Sequence, residues 1–273
     1  MPELPEAETL ARDVNAAVRG RTIAQVSVIR ADVLRGVKPA GLRRRVTGAR
    51  IDKVWRRAKA VVVDLSRGEH LVVGLGFTGG LFVEPAGATA DAYDTIRFGF
   101  EEGITLSCRD VRRLGRISLL NERAFSAFDA RLGLEPLSPH FTGAALSACI
   151  RGSVQSIKKL VMDQRRLAGV GNIYANEALW MARIDPSRPG RSLSAGESDD
   201  LRDAIVDVLG RAIAARGTTF RDFRDSRGER GQFVFQLAAY GREREPCLRC
   251  GTRLVMTHAI DGRATVFCHN CQR

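Results

Sequence analysis

Four of the six cysteines fall into two pairs of equal spacing: Cys247-Leu-Arg-Cys250, then seventeen residues, then Cys268-His-Asn-Cys271. Two such knuckles supply four thiolates, the donor set that closes a tetrahedral zinc site. A tail of about 30 residues buries too little apolar surface to fold unaided, so a metal staple meets a physical need. With all four positions taken by thiolates, the single Zn2+ expected there is structural and leaves no coordination position for chemistry. His258 and His269 lie near enough in sequence to replace a ligand, although four cysteines suffice. Two disulfides are the competing reading, weakened by the absence of a secretory leader pattern. Cys108 and Cys149 stand alone and read as buried, reduced thiols.

The other end begins MPELPEAETL. Removal of Met1 would leave Pro2 as the N-terminus, with Glu3 beside it and Glu6 one turn into a helix. Apolar residues at Leu10, Val14, Ala17 and Val18 have helical spacing from Ala7 to Arg19, and Gly20 closes the run. Acids in a first turn complement the helix dipole, which is sufficient account of Glu8 and one account of Glu6.

The elements that must hold these two ends differ in texture. From about 22 to 125 the sequence shows short β-branched runs, TIAQVSVI, RIDKVW, AVVVDL, HLVVGL, DTIRFGF and GITLSC. Polar or glycine-containing breaks separate them, as in an antiparallel sandwich or barrel. After about 133 the periodicity becomes helical. Ile157, Leu160, Val161 and Leu167 fit one helix, which meets Gly169-Val-Gly171-Asn172, and a second follows over 174–183. Ser194 and Glu197 form a capping box for a further helix ending at Gly217. Asp261-Gly-Arg263 reads as the tip of a small hairpin between the knuckles.

The 273 residues carry a formal net charge of +12, with 44% apolar and 27% charged residues. That excess favours a polyanionic partner, because each neutralised phosphate releases counterions. Runs such as LVVGLGF are too short to span a bilayer, and the first residues lack the apolar stretch of a leader. The expectation is therefore a cytoplasmic chain with no membrane partner.

In this order the pieces resemble the bacterial formamidopyrimidine-DNA glycosylase and endonuclease VIII family. The resemblance rests on PELPEAET, RRAK at 56–59, LGFTGGL at 75–81, DVRRLG at 110–115 and IKKLVMDQ at 157–164. It continues through GVGNIYANE at 169–177, GTTFRDF at 217–223, YGREREPCLRCG at 240–251 and RATVFCHNCQR at 263–273. Leu4 is similar to the formamidopyrimidine branch, since the endonuclease VIII branch has glycine there. The resemblance implies an α+β multidomain fold: an N-terminal helix with an antiparallel β-sandwich (1–132), a helix–two-turn–helix domain (133–240) and a four-cysteine zinc finger (241–273). DNA is expected in the cleft between the two larger domains, and the protein is expected to act as a monomer.

The resemblance also implies residue roles. Pro2 would be the nucleophile at the sugar C1′, Glu3 the general acid/base and Glu6 a support. Lys59 would contact phosphate and assist β-elimination, and Arg263 would grip phosphate and serve δ-elimination. Asn172 would hold the lesion phosphate, with Lys158 on the same DNA backbone. Arg112, Arg113 and Tyr93 fall in DNA-contacting stretches. The activity implied is a bifunctional glycosylase and AP lyase acting on double-stranded DNA with damaged bases or abasic sites.

The chain departs from the family where the flipped base leaves its hole. Phe77 stands for a methionine and Leu114 for a phenylalanine, while Arg112 is retained; Gly74 and Tyr93 replace two histidines. Both apolar residues remain legitimate wedges. The polar stretch 217–235 corresponds to the loop that covers a flipped purine. The alternatives are an oxidised-pyrimidine glycosylase, a catalytically silent damaged-DNA-binding paralogue, or a zinc-ribbon regulator.

Overall fold

A computed structural model describes residues 2–273, so the expected removal of Met1 falls outside the described residues. The chain divides into two compact units. One comprises the residues up to Ala130 with Ala215–Gln232, the other Arg131–Ala214 with Phe233–Arg273. The stretch 215–232 thus belongs with the first unit, where the sequence placed it in the helical domain, and the cysteine tail belongs with the second unit.

In the first unit, helix α1 (Leu4–Val18) begins earlier than its apolar periodicity indicated. Glu3 occupies the N-cap, and Pro5 sits in the first turn, where a missing N–H costs no hydrogen bond. Leu10, Ala11, Val14 and Val18 are buried, and the helix packs on β3 (Ile51–Arg57) and β4 (Ala60–Leu65).

The remaining strands are β1 (Ile23–Val28), β2 (Leu34–Arg35), β5 (Glu69–Gly74), β6 (Gly79–Pro85), β7 (Asp94–Phe100), β8 (Ile104–Asp110) and β9 (Arg116–Asn121). They form an antiparallel sheet in the order β1-β7-β8-β6 and a second sheet in the order β2-β9-β5-β4-β3. Only the β2–β9 pairing of the second sheet is parallel. Alternation at β4 and β5 sorts side chains onto two faces. Val61, Val63, Leu71 and Val73 enter the main core with Leu10, Val14, Ile96 and Phe98. Val62 and Val72 face the other way and pack with Phe125 of α3 (Glu122–Asp129). A further helix, α2 (Pro39–Val46), buries Leu42 and Val46.

The second unit is helical. Its long α7 (Ala195–Ala214) packs on α4 (Gly143–Ile150) and α6 (Asn172–Met181), and α5 (Ile157–Met162) packs on α6. The Ser194–Glu197 capping box is formed: Glu197 N–H donates to Ser194 Oγ at 3.2 Å, and Ser194 N–H to Glu197 Oε2 at 2.8 Å. Helix α5 stops at Met162 rather than running to Leu167, because the Asp163 carboxylate accepts the Arg165 N–H (3.0 Å) and turns the chain. Helix α7 ends at Ala214, short of Gly217. Strands β10 (Val255–Thr257) and β11 (Thr265–Phe267) form the expected hairpin, with Arg263 in its loop. Cys108 is buried as expected, whereas Cys149 is half-buried. Among the described residues no helix is long and apolar enough to cross a membrane.

Candidate functional site

The start of α1 holds its acids in fixed positions. Glu3 and Glu6 form a capping box, with the Glu3 N–H donating to Glu6 Oε2 at 2.7 Å. Pro2 directly precedes this clamp and is buried, and Glu3 and Glu6 are each 1% exposed. The second oxygen, Glu6 Oε1, accepts the Thr218 N–H at 2.7 Å. Gly217 makes that approach possible. It has φ +87°, and a Cβ there would lie 2.9 Å from Glu6 Oε1. Glu6 therefore does more than balance a helix dipole, since it joins the backbone beside Pro2 to the 215–232 stretch. That stretch is anchored further by Arg216, which bridges Asp13 and Asp225 at 2.6 Å each, and by Ser226 Oγ donating to Asp13 (2.9 Å).

Lys59 sits in the two-residue turn joining β3 to β4, not in a strand. Its neighbour Ala58 adopts φ 54°, a left-handed conformation costing a residue with a Cβ roughly 1–2 kcal/mol. Lys59 is half-buried. Nearby Arg56 pairs with Glu8 Oε2 at 2.9 Å. Burial pushes the Glu8 carboxyl up, but Arg12 and Arg56 outweigh it and hold it below its ordinary value.

The residues expected to act as a wedge lie on two loops of the same unit. Phe77, between β5 and β6, is 48% exposed, and Leu114, between β8 and β9, is 46% exposed. The Arg112 guanidinium stacks over the Phe77 ring at 5.3 Å, so these two arrive as one composite surface. Arg113, at φ 52°, lies 3.5 Å from Asp32 in an exposed ion pair. Tyr93 is half exposed.

One residue without a role in the sequence reading ties these two loops to each other and to the backbone of Tyr93. Asp110 is 5% exposed, and its Oδ2 accepts the Gly115 N–H at 2.7 Å. Its Oδ1 accepts from Thr78 Oγ1 (2.5 Å) and the Arg112 N–H (3.2 Å). Its own N–H donates to the Tyr93 carbonyl at 3.0 Å. A buried carboxylate with several donors fixed around it makes a rigid brace. Its position inside DVRRLG was visible, but nothing in that string shows which side chain points inward.

In the second unit several bonds fasten the hairpin, three of them to one carbonyl. Ala264 O accepts from Asn172 Nδ2 (3.0 Å), Lys158 Nζ (3.3 Å) and Asn176 Nδ2 (3.5 Å). Asn176 Oδ1 takes the Val266 N–H at 2.6 Å. Asn172 opens α6 and is half-buried. Lys158 departs from expectation. The sequence set it against the DNA backbone, yet it is 0% exposed, with Nζ 2.6 Å from Thr265 Oγ1 and 3.3 Å from Asp261. Enclosed in this way it positions the hairpin and offers no surface to a phosphate. Arg263 is exposed on the loop that this network holds. Glu177 secures the chain ahead of the cysteines, accepting the N–H groups of Ala238, Ala239 and Tyr240 at 2.7–2.9 Å.

The sulfurs of Cys247, Cys250, Cys268 and Cys271 all lie within 4.8 Å of one another. Four thiolates about 2.3 Å from one ion would be about 3.8 Å apart, so the cluster could hold a metal ion. Trp180 Nε1 donates to Cys247 Sγ at 3.4 Å, the outer-shell support a thiolate ligand uses. Cys247 and Cys268 pack with Leu254 and Val266 beneath the hairpin.

The sandwich and much of the helical unit match two family profiles. The Formamidopyrimidine-DNA glycosylase N-terminal domain matches residues 1–117, and the Formamidopyrimidine-DNA glycosylase H2TH domain matches residues 132–224. The chain belongs to the formamidopyrimidine-DNA glycosylase family. It is 42% identical over 276 residues to the Formamidopyrimidine-DNA glycosylase of Rhizorhabdus wittichii, with 100% of each chain covered. It is 39% identical over 276 residues to that of Roseiflexus sp., again with 100% of each covered. Its fold is similar, with a TM-score of 0.92, to wild-type Lactococcus lactis Fpg in complex with an N7-benzyl-Fapy-dG containing DNA, at 28% identity over 100% of both chains. The same TM-score, 0.92, relates it to Lactococcus lactis Fpg with an abasic site containing DNA, at 27% identity over 99% of each chain.

Proposed function

We propose that this chain is a bifunctional DNA glycosylase and AP lyase of base-excision repair, acting on duplex DNA that carries oxidised or ring-opened purines or abasic sites. The observation that carries the reading is the start of α1, where Pro2 directly precedes a Glu3 whose backbone Glu6 holds at 2.7 Å.

Pro2, freed by loss of Met1, is the nucleophile. An α-amine titrates near 8, well below lysine, so a fair fraction is neutral in the cell. The amine attacks C1′ of a nucleotide flipped from the stack, and the base leaves with the glycosidic electron pair. Glu3 gives a proton to the ring oxygen as the sugar opens, leaving an iminium ion on Pro2. That electron sink acidifies C2′, and loss of its proton expels the 3′ phosphate. A second elimination expels the 5′ phosphate. Lys59 contacts phosphate and assists the first elimination, Arg263 grips phosphate and assists the second, and Asn172 holds the lesion phosphate. Phe77, Arg112 and Leu114 fill the hole in the duplex, with Tyr93 and Arg113 beside them.

The loop 217–235 covers the extruded base, which favours oxidised purines. One structural Zn2+ on Cys247, Cys250, Cys268 and Cys271 stabilises the hairpin that presents Arg263. Functionally the chain divides into a catalytic part (1–132), a helix–two-turn–helix part (133–240) and a finger (241–273). It works as a monomer in the bacterial cytoplasm.

The test is borohydride trapping on duplexes bearing an oxidised guanine, a ring-opened purine, an oxidised pyrimidine or an abasic site. The processed chain should form a covalent adduct through Pro2, strongest with the purine lesions and the abasic site. A chain with an extra residue ahead of Pro2 should form none. Absence of any adduct from the processed chain, abasic duplex included, would reject the reading.

A further inference from the structure

Two consecutive lysines on α5 meet opposite fates: Lys158 is fully buried, whereas Lys159 is exposed. Lys159 lines an open cavity of about 260 Å³ with Gln155, Met162, Asp163, Asp261 and Arg263. Water occupies about 30 Å³ per molecule, so this space admits a phosphate group with several waters.

The wall carries two cations and two carboxylates, and the carboxylates are already engaged. Asp261 Oδ1 takes the Lys158 ammonium at 3.3 Å and the Arg263 N–H at 3.0 Å. Asp163 accepts the Arg165 N–H at 3.0 Å and lies 3.6 Å from the Arg166 guanidinium. The cations differ: among the described residues, neither Lys159 nor Arg263 makes an ion pair. Gln155 adds a neutral amide donor. The wall's unpaired positive charge is thus that of Lys159 and Arg263, and buried Lys158 offsets the charge of Asp261.

We propose that Lys159, Gln155 and Arg263 form a subsite for a backbone phosphate of bound duplex DNA, with Lys159 as a contact beyond those assigned above. The proposal rests on the reading of the chain as a DNA-repair glycosylase. Inorganic phosphate presents the same oxygens, so it serves as the second probe.

The experiment measures duplex affinity against salt for the full chain, Lys159→Gln and Lys159→Arg, on lesion-bearing and lesion-free duplexes. Each phosphate contact contributes about 0.9 to the slope of log affinity against log salt. Lys159→Gln should shrink the slope by about that amount, so that it loses about three- to fourfold less affinity than wild type between roughly 50 and 200 mM salt. Lys159→Arg should keep the wild-type slope, and both duplexes should respond alike. An unchanged slope in Lys159→Gln overturns the proposal, as does a change confined to the lesion duplex. Titration calorimetry with inorganic phosphate separates the sources: free phosphate binding lost in Lys159→Gln, with the duplex slope unchanged, assigns the cavity to free phosphate and overturns the DNA contact. Borohydride trapping by the wild-type chain, run alongside, keeps the readings apart. Trapping with an unchanged slope sinks only the subsite, and absence of trapping sinks the glycosylase.

Discussion

Glu6 and Thr218 are 212 positions apart in sequence, yet Glu6 Oε1 accepts the Thr218 N–H at 2.7 Å while Glu6 Oε2 accepts the Glu3 N–H at the same distance. One carboxylate therefore sets both the backbone next to the proposed nucleophile and the root of the proposed base-covering loop. Glu6→Gln keeps the volume but turns one acceptor into a donor facing an N–H. A buried donor left without a partner costs about 1–3 kcal/mol. The variant should lose about that much stability in denaturant unfolding and should excise oxidised purines more slowly in single-turnover assays. Cleavage at a preformed abasic site, which needs no covered base, should suffer less. Equal loss on both substrates would restrict Glu6 to folding.

Asp110 plays a similar part for the proposed wedge. Asp110→Asn removes one of the acceptors that hold Thr78, Arg112 and Gly115. The loops carrying Phe77 and Leu114 should then loosen, at a cost of about 1–3 kcal/mol. Affinity for a lesion duplex should fall and unstacking, read from a fluorescent base beside the lesion, should weaken. Phe77→Ala should reproduce the unstacking defect without the loss of stability, because Phe77 is exposed.

These residues mark where the sequence stopped being legible. The four-thiol cluster could be read directly, because paired Cys-x-x-Cys knuckles are a local pattern with a local meaning, whereas the role expected of the Pro-Glu start came from the family resemblance. The strands could be read because short β-branched runs such as AVVVDL and HLVVGL stand between polar or glycine-containing breaks. The partner of Glu6 could not, since no periodicity links residue 6 to residue 218. Nor could the sequence say which of Lys158 and Lys159 is buried, because that depends on where α5 packs and on Asp261, distant along the chain. The early stop of α5 at Met162 came from one Asp163 hydrogen bond that outweighed an apolar pattern continuing to Leu167.

His70 gives a pH dependence of known sign. It stacks on Phe125 (4.3 Å), with Nδ1 2.7 Å from Asp64 and Nε2 3.0 Å from Glu122. Burial disfavours its charge, but the bonds to Asp64 and Glu122 outweigh that and raise it above the ordinary imidazole value. A raised folded value means the stabilisation is complete below the unfolded pKa of about 6.5 and is lost as pH climbs through the higher folded one. Thermal stability should therefore decline from about pH 6 toward pH 8. His70→Phe, which keeps an aromatic ring beside Phe125, should flatten that part of the profile.

Removing the proposed metal should act on one unit. Cys250→Ser, or a strong chelator, should release zinc and weaken duplex binding together, since the hairpin bearing Arg263 loses its staple. The melting of the sandwich unit should stay unchanged in calorimetry. Tight binding retained without zinc would show that the hairpin needs no metal.

The partition of the chain has a consequence for inheritance. Because residues 215–232 belong with the sandwich, the polypeptide passes between the units at 130, at 214 and again at 232. Neither unit is a continuous stretch of gene. A crossover near codon 131 would pair the Glu6 of one parent with the Gly217 and Thr218 of another, and a truncation there would discard them. A single crossover cannot trade either unit whole.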